Sequence, residues 1–235
     1  MSEPVIVPLA RVEASLAPGD WAWAQDNRAA IEAHWRRLVV EKPALYNGRV
    51  LISTEHRIAD GVLTSRYRET DYASFLALRD FGFPDRQVRN CFAMAALRAS
   101  DGAYLLGVMG RHTANAGMVY FPAGTPDSGD VTADGRVDLL GSVGRELAEE
   151  TGLAASEVTI AEGWTAVLHG PRIALMRDVR SALPADALRA QIVDWLAAQE
   201  EPELSDMRIV RRVEDIDPRT MPLFTQAFLR HVLAA

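Results

Sequence analysis

The stretch GRELAEETGL, residues 144–153, places Glu146, Glu149 and Glu150 within five positions, with Arg145 in front and Gly152 behind. On a helix, residues three and four apart share one face, so the three carboxylates project together. Like charges crowded in this way ask for a compensating cation. A hard divalent ion such as Mg²⁺ takes several oxygen ligands and often shares them with substrate phosphates. A helix presenting three carboxylates suits an ion that neutralises a pyrophosphate and helps turn a water into a nucleophile. The alternative is a solvated acidic face, which acidic clusters commonly form. Three neighbouring features favour the metal. A Gly-rich turn after an apolar strand precedes the cluster, Arg145 is placed to neutralise or orient a carboxylate, and Gly152-Leu153 closes the helix at once.

Flanking elements must hold that helix in place. The pattern predicts a helix from Asp138 to Thr151, capped by Asp138 or Ser142 and ended by Gly152. Leu140, Val143 and Leu147 form a separate apolar stripe able to pack on a sheet. Upstream, NCFAMAALRASDGAYLLGVMG reads as two strands about Ser100-Asp101-Gly102, and MVYFPAG as a further strand entering a Gly/Pro turn. Downstream come strands at EVTIAEGWTAVLHG and RIALMRDV, broken at Gly170-Pro171. A helix over 185–199, a strand at MRIVRRV and a last helix at FTQAFLRHVLAA complete the chain. Before residue 85 the pattern predicts a strand at VIVPLARV and a helix from Trp23 to Glu41 through Ile31, Trp35 and Leu38. Strands RVLIST and GVLTSRYR then meet about Asp60-Gly61, and a helix in DYASFLALRDFG closes at Gly82. The expected fold class is α/β (α+β): a mixed sheet flanked by helices in an α/β/α sandwich. Residues 1–88 form an N-terminal α/β extension and 89–235 the main domain.

Composition narrows the function. The 235 residues carry a net charge of −7, which argues against nucleic acid or an anionic membrane as partner. Lys42 is the only lysine. Cys91, the only cysteine, sits in an apolar run and reads as a core residue, so neither a disulfide nor a Cys-rich metal site is expected. The N-terminus lacks the pattern of a signal peptide, and no apolar run reaches the length of a membrane span. A cytoplasmic location is expected.

The segment from Gly124 to Leu153 resembles the Nudix box, G-x5-E-x7-R-E-U-x-E-E-x-G-U with U aliphatic. Arg145 through Leu153 match its second half in full, and YFPAGTPDSGD is similar to the strand and loop that open it. Two departures stand out. Asp130 occupies the position where the family usually has Glu, and fourteen residues instead of seven separate it from Arg145. The extra residues are turn-like and suit a surface loop. The resemblance implies a divalent-metal-dependent pyrophosphohydrolase acting on a nucleoside diphosphate linked to another moiety. Glu146, Glu149 and Glu150 would then ligate Mg²⁺ or Mn²⁺, one of them serving as base, and Arg145 would orient them. A carbonyl of Ala123 or Gly124 would add a ligand. Glu200, Glu201 and Glu203 lie where relatives draw a further acidic residue, although a solvated helix end explains them equally well.

PALYNGRVL, the hairpin and DYASFLALRD are similar in order to the N-terminal part of the UDP-sugar-specific Nudix pyrophosphatases, which also lengthen the box loop. That likeness implies cleavage of a UDP-sugar to UMP and sugar 1-phosphate. ADP-ribose, dinucleotide or coenzyme A cleavage, and a non-catalytic ligand-binding regulator, are the alternatives. Gly124, Arg111 and Tyr46 are the foremost substrate-binding candidates, with Asn47, Tyr67, Tyr72, Arg79, His112 and Asn115 behind them; His112 and His169 receive no catalytic role. Many relatives are dimers, so a homodimer is a further expectation.

Overall fold

Cys91–Leu97 is a continuous apolar run, the mark of a strand buried on both faces. In the computed structural model, which describes residues 3–234, this run lies in β5 (Asn90–Arg98) at the centre of an eight-stranded mixed sheet. The main path runs β1 (Val5–Leu9), β9 (Trp164–His169), β10 (Arg172–Ser181), β5, β6 (Tyr104–Met109) and β11 (Leu204–Val210). Two short strands complete it: β7 (Val119–Tyr120) on β6 and β8 (Val158–Ile160) on β10. β10 and β5 are parallel, in register from Arg172 opposite Asn90 to Arg180 opposite Arg98.

Side chains alternate across the sheet, so each face needs its own cover. One face packs against α4 (Leu139–Thr151) and α5 (Ala185–Ala197), joining Ala93, Ala95 and Leu97 to Val143, Leu147, Leu188 and Ile192. The other packs against α6 (Leu223–Leu233), where Met94 and Ala96 meet Phe224, Phe228 and Leu229. The expected α/β/α sandwich is therefore the observed one.

A second sheet has the order β2 (Arg11–Leu16), β4 (Val62–Asp71), β3 (Arg49–Ala59). Leu51, Leu63 and Tyr67 from it enter the same core as α4. Val50 and Ile52 on β3 pack instead against α1 (Ala22–Asp26), α2 (Arg28–Glu41) and α3 (Tyr72–Asp80). The fully buried Tyr67 hydroxyl donates to the Cys91 carbonyl at 3.1 Å, which ties this sheet to the central strand.

Several local expectations change. VIVPLARV is two strands in two sheets: β1 pairs with β9, while β2 pairs in parallel with β4 after a turn in which Ala10 N–H donates to Gly61 O at 2.7 Å. The helix expected from Trp23 to Glu41 is divided at Asn27, whose side-chain amide donates to Trp23 O at 2.8 Å and competes with the helical ladder. The strand in MVYFPAG shortens to two residues. In α4, Asp138 is the cap, accepting from Gly141 N–H at 2.9 Å, whereas Ser142 is buried within the first turns. Leu140 is 41 % exposed, and Leu139 takes the place expected for it on the buried stripe.

α3 delivers Tyr72, Phe75 and Arg79 towards the cavity described below, and its start depends on Asp71. The Asp71 side chain accepts from Ser74 N–H at 2.7 Å and pairs with Arg28 at 2.9 Å. Burial alone would raise this carboxyl, but Ser74 and Arg28 outweigh it and hold it below its ordinary value. A carboxyl held low in the folded state adds stability above its unfolded pKa and loses that stability as pH falls through the folded one. Asp71→Ala should therefore cost about 1 kcal/mol in urea unfolding at pH 7. The difference from wild type should shrink below about pH 4.

Candidate active site

Burying Leu139, Val143 and Leu147 against the sheet fixes the rotation of α4. Glu146 and Glu150 then fall inside the protein, 9 % and 3 % exposed, while the Glu149 side chain is 60 % exposed. Arg145 collects three carboxylates: Asp130 at 3.0 Å, Glu146 at 2.8 Å and Glu149 at 3.3 Å. Asp130 is itself buried and also accepts from Asp127 N–H at 3.0 Å.

The lengthened box loop leaves that arrangement intact. Fourteen residues against seven is an excess of seven, the number in the hairpin from Val131 to Val137. Asp138 N–H donates to Asp130 O at 2.8 Å, so the hairpin is closed at its neck and Asp130 is returned to the start of α4. Its tip is not free in solvent. Leu16 N–H donates to Gly135 O at 2.9 Å and Val137 N–H to Ala14 O at 3.0 Å, docking the hairpin on β2.

The turn after Phe121 supplies the opposite wall. Ala123 N–H donates to Glu150 Oε1 at 3.4 Å, and Glu150 Oε2 is buried with no hydrogen-bond partner. A Cβ on Gly124 would collide with the Glu146 carboxyl, so glycine is what allows the carboxyl to lie against this turn. Burial raises the Glu146 carboxyl to about 7; the charges of Glu149, Glu203 and Asp130 add to the rise and Arg145 opposes it. Burial raises Glu150 well above the ordinary range too, with Glu203 and Glu146 adding and Ala123 N–H opposing. Glu203, just before β11, is thus the acidic residue of its loop that shares the field of the cluster, and its carbonyl accepts from Gly110 N–H at 2.8 Å. All three glutamates of this loop are exposed, and Glu203 is the one whose charge bears on Glu146 and Glu150.

This donor set suits a hard divalent cation. It is all oxygen, it carries excess negative charge, and its most buried oxygen has no partner. The side chains are not gathered as ligands: among the described residues no three His, Cys, Asp or Glu are disposed to hold an ion. Arg145 draws Glu146 and Glu149 to its own guanidinium, while Glu150 turns beneath Ala123. The fit is one of chemistry, with Arg145 in the role of resident cation.

A cavity of about 420 Å³ opens beside the cluster, with Ala123 and Gly124 in the shared wall. Tyr72, Arg79 and Asn115, all read from sequence as candidates, line it. Tyr120 lines it as well, its hydroxyl accepting from the Asn115 amide at 3.1 Å. The remaining candidates lie elsewhere. Tyr46 is 83 % exposed, Arg111 is exposed, and neither reaches the cavity. Asn47 accepts from Ala73 N–H at 2.8 Å and so serves the start of α3. Tyr67 is core, and His112 is exposed beside Gly110. His169 lines the cavity, and burial, then the Arg172 charge, lower its pKa. Sequence reading passed over Tyr120 and Arg172. Tyr120 directly precedes FPAG, and Arg172 follows the Gly170-Pro171 break; those adjacencies were the available signals.

No family model matches the chain, and no curated protein does. Solved structures similar in part include a Nudix hydrolase from M. smegmatis at 17% identity and TM-score 0.38, the match covering 61% of this chain and 84% of that one. The MutT protein from Methanosarcina mazei matches at 17% identity and TM-score 0.39, over 61% of this chain and 92% of that one. A Bacillus subtilis pyrophosphohydrolase matches at 13% identity and TM-score 0.36, over 65% and 82%. At these TM-scores the likeness has no weight for function.

Proposed function

We propose that the chain is a Nudix-type pyrophosphohydrolase, dependent on Mg²⁺ or Mn²⁺, that cleaves a nucleoside diphosphate linked to another moiety. A UDP-sugar split into UMP and sugar 1-phosphate is the leading substrate. The observation that carries this reading is the pair of buried carboxylates Glu146 and Glu150 beside the Gly124 turn, one oxygen of Glu150 having no partner. A buried carboxylate oxygen with no partner is costly to keep charged unless a cation answers it.

Glu146, Glu149 and Glu150 would hold the ion, with the Ala123–Gly124 backbone close by. When bound, the ion supplies charge neutralisation of the diphosphate and lowers the pKa of a water. Arg145, anchored on Asp130, holds Glu146 and Glu149 on one side of the helix. Gly124 lets the turn come close to the carboxylates, and the adjoining cavity receives the part of the substrate beyond the diphosphate. The N-terminal region contributes to recognition through Tyr72 and Arg79.

The test is phosphate release, with a coupled phosphatase, from UDP-glucose, ADP-ribose, NADH, coenzyme A and deoxynucleoside triphosphates in Mg²⁺ or Mn²⁺. Turnover confined to UDP-sugars is the expected result, with Glu150→Gln reducing kcat by roughly 10²-fold or more. Turnover of another substrate would keep the chemistry and replace the sugar nucleotide. Ligand binding without turnover in either metal would move the assignment to a non-catalytic regulator.

Asp130 acts through Arg145 and is a positioning residue. Asp130→Asn, which keeps the shape and removes the charge, should lower kcat/KM by about 10–100-fold. Arg145→Lys, which keeps the charge and loses the forked geometry, should fall in the same range. Circular dichroism melts close to wild type would separate this from a folding defect.

A further inference from the structure

Outside the carboxylate cluster, one charged side chain lines the cavity with no carboxylate paired to it among the described residues. Arg172, at the start of β10, is half-buried, and only burial and the charge of Arg79 bear on its guanidinium, both disfavouring the charged form. Its guanidinium lies over the Phe83 ring, 5.4 Å from the centroid. Phe83 is buried with φ +56°, a backbone conformation that a bulky side chain holds only when its surroundings enforce it. A constrained loop thus sets an aromatic shelf beneath this cation where a carboxylate would be the usual partner. Arg79 enters from α3, paired with Asp80 at 2.7 Å on one side and 3.5 Å from Asn115 Oδ1 on the other. His169, opposite Arg172 in the β9–β10 register, has its pKa lowered by burial and then by the Arg172 charge.

The position of this corner matters as much as its charge. Arg172 stands opposite Asn90, whereas the box turn meets β5 at Ala95, whose N–H donates to Pro122 O at 2.9 Å. Five strand residues separate the two points, about 16 Å at ~3.3 Å per residue. A diphosphate held beside Glu146 and Glu150 leaves Arg172 facing a different part of the same molecule.

We propose that Arg172, with Arg79 beside it, receives a second anionic group of the substrate, a carboxylate or a phosphate carried on the moiety remote from the cleaved diphosphate. The proposal rests on the pyrophosphohydrolase reading for where the diphosphate lies. Within that reading it narrows the substrate to one whose far end is itself acidic. A planar guanidinium stacked on an aromatic ring presents two parallel N–H donors, which suits both kinds of anion.

The experiment compares substrates matched except for one anion: UDP-glucuronate against UDP-glucose, and coenzyme A against dephospho-coenzyme A. Affinities are measured by calorimetry in Mg²⁺ on a Glu150→Gln background, with Arg172 intact, Arg172→Gln and Arg172→Lys. With Arg172 intact, one pair should favour the more acidic member by at least about tenfold. That preference should collapse in Arg172→Gln and return in part in Arg172→Lys; which pair responds distinguishes carboxylate from phosphate. No preference in either pair, or a preference that survives Arg172→Gln, overturns the inference. Should Arg172→Gln fail to fold, Arg79→Gln and Arg172→Lys carry the comparison. Turnover of the same pairs by the wild type separates the two readings. Turnover without discrimination sinks the anion site alone, and discrimination without turnover sinks the hydrolase alone.

Discussion

The ion pair between Arg145 and the buried Asp130 is the constraint around which the site is organised. It fixes the guanidinium that holds Glu146 and Glu149, and it does so from the loop that leads into the helix. A buried carboxylate is costly to keep charged without a partner, so removing Arg145 would leave Asp130 exposed to that cost. The fold meets the demand by closing the box hairpin at Asp130 and Asp138 and by docking its tip on β2. The second sheet is thus coupled to the carboxylate helix twice, through that hairpin and through Tyr67 on Cys91.

Around this pair the charges are arranged in two opposed fields. On one side, burial and the neighbouring charges of Glu149 and Glu203 raise the affinity of Glu146 and Glu150 for a proton, and the same negative charges favour a cation. On the other side of the Ala123–Gly124 wall, burial and the charge of Arg79 disfavour the charged form of Arg172, and an anion would suit that corner. A substrate with a metal-bound diphosphate at one end and a negative group at the other would relieve both.

Much of this was legible in the sequence, for identifiable reasons. The carboxylate helix was readable because its apolar stripe, its Asp138 cap and its Gly152 stop are local signals, all within the helix or at its two ends. The order of strands and helices from Asn90 onward followed from apolar runs and turn residues. The division of the first strand between two sheets was not readable, because it depends on β9 and β4, partners distant in the chain. Tyr46 and Arg111 lie away from the cavity for a related reason. An aromatic or a basic residue near a turn carries no sign of which way the turn faces, and these two face solvent. Arg172 escaped notice because an arginine that opens a strand looks like any surface arginine until the shelf beneath it is known.

The N-terminal region shapes the cavity more than it touches the chemistry. Asp71 starts α3, Asn47 steadies its first turn, and the helix then places Tyr72 and Arg79. From the end of α2, Lys42 donates to the carbonyls of Thr113 and Ala114 at 2.8 and 3.1 Å, fixing the loop that carries Asn115. A compact ammonium is suited to two carbonyls converging on a point, a geometry that the planar fork of arginine does not match. In a chain whose other 24 basic residues (25 less Lys42) are all arginine, the single lysine has this task. Asn115 in turn connects Arg79 to Tyr120 along the cavity wall. On the proposed reading, α3 would bear on the far end of a substrate through Tyr72 and Arg79, whereas β2, on which the Asp130 hairpin docks, bears on the carboxylate helix.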